Sequence, residues 1–232
     1  MEQTPSTPDP EPKPIKTGGG GLEPAIPHQQ DRSRRTAEKI VAAAVELLGT
    51  KGFEEMSVAE IAAQAQVSVG GFYARFPSKQ ALLQYLQGTV MGGILERARE
   101  LFSPAATSDS SAYQIIERYM SMATQAFRHH RIVMQQVSLR SRTSSDPAFR
   151  KKVLSLNVEL HDLFRARLYE RLEQIGHANP RPAIDIALTA TSAVMREYVL
   201  FSDLRPQYQK IEDADLVAEL TDLFCTYLRI DK

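Results

Sequence analysis

Apolar residues recur at every third or fourth position along most of the chain, and no segment shows a sustained alternation of apolar and polar residues. Helical spacing of this kind indicates amphipathic helices, whereas strict alternation would indicate strands. The expected fold class is therefore all-α. The pattern predicts helices at about 32–50, 57–64, 69–74, 78–102, 112–128, 132–142, 147–175, 183–201 and 213–230.

The stretch between residues 57 and 79 contains two very short predicted helices joined by a tight turn. Ser57 and Glu60 have the spacing of a capping box, in which each side chain satisfies a backbone amide of the first turn. Ser68 is a second N-cap, and Pro77 ends the helix that follows it. Helices this short are unstable alone, so they must pack on a partner, as in helix-turn-helix DNA-binding units.

The second short helix carries residue types that suit contact with DNA. Val69, Gly70 and Gly71 leave its first turn nearly bare, although two glycines are costly for helix stability. Tyr73 can reach a phosphate through its hydroxyl and Lys79 through its charge. The alternative is a helical hairpin buried in an all-α core, which rarely combines paired glycines with tyrosine, arginine and lysine on one edge.

A longer motif surrounds this stretch. It consists of Val67-Ser68-Val69-Gly70-Gly71-Phe72-Tyr73-Ala74-Arg75-Phe76-Pro77-Ser78-Lys79 and Leu82, preceded by Ala43-Ala44, Leu47-Leu48, Gly52-Phe53, Ser57-Val58 and Ile61-Ala62. The motif resembles the signature of the TetR family of bacterial transcriptional repressors, over roughly residues 35–86. Gly52 is expected to end the first helix in the left-handed conformation. Gln66 stands where the family usually has glycine, so we expect a strained or slightly different backbone there. Gly71 replaces a common threonine, which removes one hydroxyl.

The resemblance implies an N-terminal three-helix DNA-binding domain, followed by a helical ligand-binding and dimerisation domain. The expected boundaries are 31–87 and 88–232. The residues assigned to DNA contact are Ser57, Ser68, Val69, Gly70, Gly71, Tyr73, Arg75 and Lys79. The resemblance also implies a homodimer on a palindromic operator in double-stranded DNA, with release of a repressor by a small-molecule effector.

Two C-terminal helices, at about 183–201 and 213–230, carry broad apolar faces. In proteins of similar sequence such helices pair with their copies about a two-fold axis. Closed two-fold symmetry also suits a palindromic operator. The alternative is that both faces belong to a core within one chain.

The middle of the chain is where proteins of similar sequence hold an effector. The candidate pocket residues are Met91, Leu95, Tyr119, Met122, Phe127, Met134, Val137 and Phe164, with Phe102 and Leu156 as further candidates. Methionines and aromatic residues at helical spacing are more often plain core, so this assignment needs the fold to test it. His129, His130 and His161 lack metal-ligand spacing, and no metal or cofactor is expected.

Residues 1–30 contain seven of the 13 prolines and four consecutive glycines, with few apolar residues. Such a segment cannot bury enough surface to offset its ordering entropy, so we predict a disordered tail.

Charge and cysteine usage narrow the function only slightly. The 28 basic residues balance the 28 acidic ones, so any positive field that attracts DNA must be local. Arg32, Arg34 and Arg35 form a basic cluster that can supply such a field. The alternative is that they belong to a solvated arm. The single cysteine, Cys225, is expected to be a small core residue, and its isolation fits a reducing cytoplasm.

Other classes of protein fit the sequence less well. No run is long enough for a membrane span, and the N-terminus lacks the layout of a signal peptide, so a cytoplasmic location is expected. No Gly-x-Ser-x-Gly or Rossmann fingerprint is present, so an enzyme is not expected. The remaining alternative is a DNA-binding protein without a small-molecule ligand, which organises DNA or responds to a protein partner. Repression and activation are both compatible with the sequence.

Overall fold

The computed structural model describes residues 27–143, 145–204 and 211–231, and every regular element in these ranges is helical. The prediction of an all-α fold is therefore confirmed. The helices in chain order are α1 (Pro27–Thr50), α2 (Gly52–Glu55), α3 (Val58–Gln64), α4 (Val69–Tyr73), α5 (Lys79–Leu101), α6 (Ala112–His129), α7 (Arg131–Thr143), α8 (Pro147–Tyr169), α9 (Pro180–Val199) and α10 (Asp213–Leu228).

Two predicted boundaries differ from the observed ones by five residues or more, α9 begins at Pro180 rather than at residue 183, and the short helix α2 was not predicted. Helix α1 begins at Pro27, so residues 27–30 of the predicted disordered tail are helical, while residues 1–26 lie outside the described ranges. Helix α8 ends at Tyr169 rather than near residue 175, because the apolar spacing continues into a separate 3-10 turn, Leu172–Gln174. Proline suits the start of α1, since the amide it lacks has no partner in the first helical turn.

The buried side chains form two cores that share helix α5. The first core joins α1, α3, α4 and the beginning of α5, and it also takes Val133 from α7. The second core is built from the rest of α5 together with α6, α8, α9 and α10. The predicted boundary between residues 87 and 88 thus falls inside one continuous helix, so a displacement of α5 acts on both cores.

The turns that set the angles of the short helices use left-handed backbone. Gly52 has φ +80°, which confirms the predicted glycine stop after α1. Gln66 has φ +56°, a left-handed value that glycine adopts readily and that is uncommon for a residue with a Cβ, so the backbone is strained at this position, the first of the two expectations. The turn is closed by a hydrogen bond of 2.9 Å from the Val67 amide to the Ala62 carbonyl.

Helices α9 and α10 pack on each other and use only part of their apolar surface inside the chain. Met195 and Phe224 are buried in the second core, whereas Ile186, Leu223 and Tyr227 are exposed. Both sequence-based interpretations of these helices thus have side chains that fit them. None of the described helices is long and apolar enough to cross a membrane.

Candidate DNA-binding surface and internal cavity

The start of α3 is fixed by a capping box between Ser57 and Glu60. The Ser57 hydroxyl accepts a hydrogen bond from the Glu60 amide at 3.2 Å, and the Glu60 carboxylate accepts from the Ser57 amide at 2.8 Å. Lys51 also pairs with this carboxylate. Hydrogen bonds from Lys51 and then from Ser57 lower the pKa of Glu60 to about 2. Ser57, a predicted DNA contact, therefore holds α3 in place with its hydroxyl.

Helix α4 presents a sharply divided surface. Phe72 is fully buried in the first core, while Val69 and Tyr73 are 45% and 52% exposed. The Ser68 hydroxyl caps the helix by accepting from the Gly71 amide at 3.0 Å. The outward face of α4 thus offers a β-branched side chain and a phenol hydroxyl to solvent.

Gly70 lies on this exposed face, and packing within the chain does not require a glycine there. A Cβ added at Gly70 would meet only the Ser68 hydroxyl, at 3.9 Å. At Gly71 the same hydroxyl would be 3.2 Å away, so a side chain there would crowd the cap. Because glycine costs about 1 kcal/mol relative to alanine in a helix, the bare backbone at Gly70 suits the close approach of another molecule.

A cluster of arginines lies beside the end of α4. The Arg75 Nε donates to the Ser33 carbonyl of α1 at 3.4 Å, which brings the start of α1 next to α4. Arg32, Arg34 and Arg35 are exposed at that start. The chain has no net charge, and these arginines place local positive charge next to the exposed face of α4.

Lys79 occupies a different place from the phosphate contact predicted for it. Its Nζ donates to the carbonyls of Phe53, Met56 and Glu54 at 2.7, 2.9 and 3.2 Å. The ammonium also lies 4.6 Å from the centre of the Phe53 ring. An ammonium group has three donors, and all three are used. The carbonyls at the end of α2 lack helical partners, which explains why they take this cation.

Helix α7 also contacts α2 at Phe53 and Glu54, a region called the Phe53 corner below. The Gln136 Oε1 accepts from the Phe53 amide at 3.2 Å. Arg140 forms an ion pair of 2.7 Å with Glu54, and its guanidinium lies 4.5 Å from the centre of the Phe53 ring. Neither Gln136 nor Arg140 was predicted to matter, because only the fold brings α7 to this corner.

Helices α5 to α9 line a partly open cavity of about 180 Å³. Four of the eight predicted pocket residues line it: Met91, Phe127, Met134 and Val137. The cavity is also lined by polar side chains, among them Gln87, Ser138, Arg142 and Arg196. The wall formed by α7 therefore belongs to the same helix that holds the Phe53 corner.

The other four predicted pocket residues lie elsewhere. Leu95, Tyr119 and Phe164 are packed in the second core, where the rings of Tyr119 and Phe164 are 4.3 Å apart. Burial raises the pKa of Tyr119. Met122 lines a larger and more open cleft of about 1190 Å³ between α5, α6 and α10. A continuous apolar helix face does not distinguish a cavity wall from a filled core, so the sequence could not separate these groups.

Gln87 and Arg196 also line the cavity, although neither was among the pocket residues predicted from the sequence. Gln87 is 2% exposed, and neither atom of its amide group has a hydrogen-bond partner in the described part of the chain. The Nε of Arg196 is likewise without a partner among the described residues. Burial, followed by repulsion from Arg142, lowers the pKa of Arg196. A polar residue on the buried face of α5, between Leu86 and Met91, was the available signal for Gln87.

Reactive groups outside this cavity are few. Cys225 is buried in the second core, as the sequence predicted. Within the described ranges, no three His, Cys, Asp or Glu side chains come together in a way that could hold a metal ion. His129 and His130 pack edge to face, with ring centres 4.5 Å apart.

Helices α3 and α4 form a helix-turn-helix unit, which is a recurring DNA-binding motif, and the cavity lies in the separate second core. Residues 40–86 match the family model of bacterial regulatory proteins of the tetR family. This part of the chain, which holds α3 and α4, therefore carries the DNA-binding unit of TetR-family regulators.

Several proteins resemble the chain over more of its length, and the solved structures among them share its fold. The chain is 31% identical over 102 residues to the fatty acid metabolism regulator protein of Bacillus subtilis, covering 44% of this chain and 52% of that protein. It therefore spans about half the length of that relative. It is 26% identical over 205 residues to the regulator EthR of Mycolicibacterium smegmatis, covering 88% and 89%. The structure of FadR from Bacillus subtilis in complex with stearoyl-CoA has a TM-score of 0.63 at 22% identity, covering 82% and 97%.

Proposed function

We propose that this chain is a transcriptional regulator that binds DNA as a homodimer and is released by a small molecule. The observation that carries the proposal is the outward face of α4, which exposes Val69, Gly70 and Tyr73 beside a cluster of arginines. The match to a family of regulatory proteins supports the same function. Repression is the expected consequence, because a protein bound at an operator excludes others from that DNA.

The DNA contacts divide into two groups in this proposal. Val69 and Gly70 lie in the major groove and set sequence preference, through apolar contact and the shape of the DNA. Ser68, Tyr73 and Arg75 contact the phosphates. Ser57, Gly71 and Lys79, which the sequence also assigned to DNA, act by positioning α3 and α4, since their groups are used in the caps and in the corner described above.

The homodimer forms through α9 and α10. Ile186, Leu223 and Tyr227 are exposed on these helices, and large exposed apolar residues that cluster mark interaction surfaces. A two-fold axis between the copies would place two α4 helices on successive major grooves of a palindromic operator.

Two helices connect the cavity to the DNA-binding domain. Helix α5 runs from Lys79 to cavity residues Gln87 and Met91, and α7 carries cavity residues together with Gln136 and Arg140. An effector that fits only one arrangement of these helices shifts the spacing of the two α4 helices. To change occupancy from nearly all bound to nearly all free, it must discriminate between the arrangements by about 5 kcal/mol.

The test is selection of bound sequences from a random duplex pool with the full chain, at near-physiological salt. An enriched inverted repeat is expected, with half-sites about one DNA turn apart. The matched control is a Gly70→Ala, Tyr73→Ala double variant, which should fold and recover no sequence. Tight binding of the unaltered chain without enrichment would contradict the proposal and favour a DNA-organising protein without a ligand.

A further inference from the structure

We propose that the cavity between α5 and α9 binds a compact organic monocarboxylate, whose carboxylate is held by Arg196 and Arg142 and contacted by the Gln87 amide. The proposal rests on the function proposed above and names the chemical class of its effector. The three side chains come from α5, α7 and α9, so the ligand would join α9 to the two helices that lead to the DNA-binding domain.

The first argument is the positive charge of two arginines at the cavity. Arg142 and Arg196 both line it, and they are close enough for Arg142 to disfavour the charged form of Arg196. Arg142 is exposed and Arg196 is half-buried, so solvent screens part of this repulsion. Among the described residues that line the cavity there is no Asp or Glu, although Glu197 nearby offsets part of the charge. An anionic ligand between the two guanidinium groups would accept charge-assisted hydrogen bonds from both.

The amide of Gln87 is the second, independent argument. Its Nε2 and Oε1 are both buried without a hydrogen-bond partner in the described ranges, which is a costly arrangement in a folded protein. A carboxylate oxygen would accept from Nε2, and a water that enters with the ligand would donate to Oε1. Because Gln87 is on α5, this contact bears directly on the helix that begins at Lys79.

The size and the walls of the cavity define the rest of the ligand. Its volume of about 180 Å³ is comparable to the roughly 150 Å³ of an engineered cavity that takes benzene. Met91, Phe127 and Met134 provide apolar walls for a ring or a short chain. Benzoate and hexanoate would fit a space of this size, and the stearoyl-CoA in the FadR structure is a far larger molecule.

Calorimetric titration of the full chain with benzoate and hexanoate tests the assignment. We expect binding of at least one of them, and binding of the uncharged amide of the same acid should be weaker by roughly tenfold or more. Arg196→Met and Gln87→Leu should each weaken carboxylate binding by a similar factor. Neither carboxylate binding at millimolar concentration, or equal binding of acid and amide, would overturn the proposal.

Arg167→Met is the matched control. Arg167 also has a buried Nε without a partner among the described residues, but it pairs with Glu170 at 2.9 Å and lies outside this cavity. Its replacement should leave carboxylate binding unchanged. A loss as large as that of Arg196→Met would mean that the effect comes from general destabilisation, and the assignment of Arg196 would be wrong.

Release of selected DNA separates this inference from the function on which it rests. If the carboxylate binds and Arg196→Met abolishes binding, but DNA stays bound, then the site is correct and ligand-controlled release is wrong. If a neutral compound releases the DNA and carboxylates do not bind, the regulator proposal stands and the anion assignment is wrong.

Discussion

The DNA-binding domain and the cavity differ in what surrounds their polar side chains. In the first, Lys79 and Ser57 have partners nearby, and these contacts fix short helices that could not form alone. The amide of Gln80 in this domain is buried without a partner in the described part of the chain, but it does not line the cavity. Gln87 and the Nε of Arg196 are also without such partners, and these two residues do line it. The comparison teaches that contacts within the chain position the short helices, whereas the cavity offers polar groups to a ligand.

Helix α7 contributes to both regions with different faces. Met134, Val137 and Ser138 line the cavity, while Gln136 and Arg140 contact the corner around Phe53. A change at the cavity can therefore reach α2 through one helix, without a separate pathway of contacts.

The largest effect is expected for Phe164→Ala. Phe164 is fully buried, and its ring packs against those of Tyr119 and Phe224 at 4.3 and 5.8 Å. The cavity left by the lost ring should lower the free energy of unfolding by about 3–5 kcal/mol, as measured by urea denaturation. Unchanged stability with altered ligand binding would mean that Phe164 lines the effector pocket, as the sequence predicted.

Lys79→Met should have the next largest effect. The substitution removes three charge-assisted hydrogen bonds to the carbonyls of Phe53, Glu54 and Met56, so we expect a loss of about 2 kcal/mol in urea denaturation. The salt dependence of DNA binding should stay the same. Arg35→Met is the control, because loss of an exposed cation near DNA lowers the salt slope by about one unit without unfolding the domain. A lower salt slope for Lys79→Met, at unchanged stability, would show that Lys79 contacts a phosphate, as the sequence predicted.

Gln136→Leu tests the link through α7. The Phe53 amide would lose its acceptor, which should cost about 1 kcal/mol of stability. Carboxylate affinity should be retained, but the ligand should release less DNA in an anisotropy titration. Gln125→Leu is the matched control, since Gln125 is exposed on α6 and bonds only the Ser121 hydroxyl, at 3.4 Å, within the described residues. Equal release by both variants would show that α7 does not carry the coupling.

Gly70→Ala should separate folding from DNA binding. Alanine fits the free space at this position, so the unfolding free energy should rise by about 0.5–1 kcal/mol. DNA affinity should fall, because the new methyl group lies where we place the groove wall. Gly93→Ala in α5 has no described atom within 4 Å of the new Cβ and should stabilise the fold equally without changing DNA affinity. If Gly70→Ala binds DNA normally, α4 does not approach DNA through this residue.

Local signals explain which parts of the structure the sequence could predict. The caps at Ser57 and Ser68, the glycine stop at Gly52 and the strained turn at Gln66 all depend on residues a few positions apart. Helical periodicity likewise predicted most helix ends. The sequence shows that Lys79 is a cation, but its partners are carbonyls more than twenty residues earlier. No sequence pattern indicates contacts over that separation.

The cavity could be predicted only in part for the same reason. Met91 and Met134 were among the candidates because large apolar residues at helical spacing are natural cavity walls. Gln87, Arg142 and Arg196 are far apart in the sequence and belong to three helices, so their meeting depends on how those helices pack. A polar residue on an otherwise apolar helix face, such as Gln87 on α5, is the sequence signal that indicates a cavity in an all-helical chain.

The smallest effect is expected at the capping box of α3, where Glu60→Gln should make stability less dependent on pH. Because the folded-state pKa of Glu60 is about 2, below the usual 4.5, its ionised form stabilises the fold above pH 4.5, and this contribution is lost as the pH falls toward 2. The melting temperature of the unaltered chain should therefore exceed that of the variant at pH 7, with the difference shrinking between pH 5 and 3. The group is exposed, so the effect is smaller than the others. A difference that stays constant over this range would mean that the pairing of Glu60 with Lys51 and Ser57 does not persist in solution, and that the cap of α3 depends on the Ser57 hydroxyl alone.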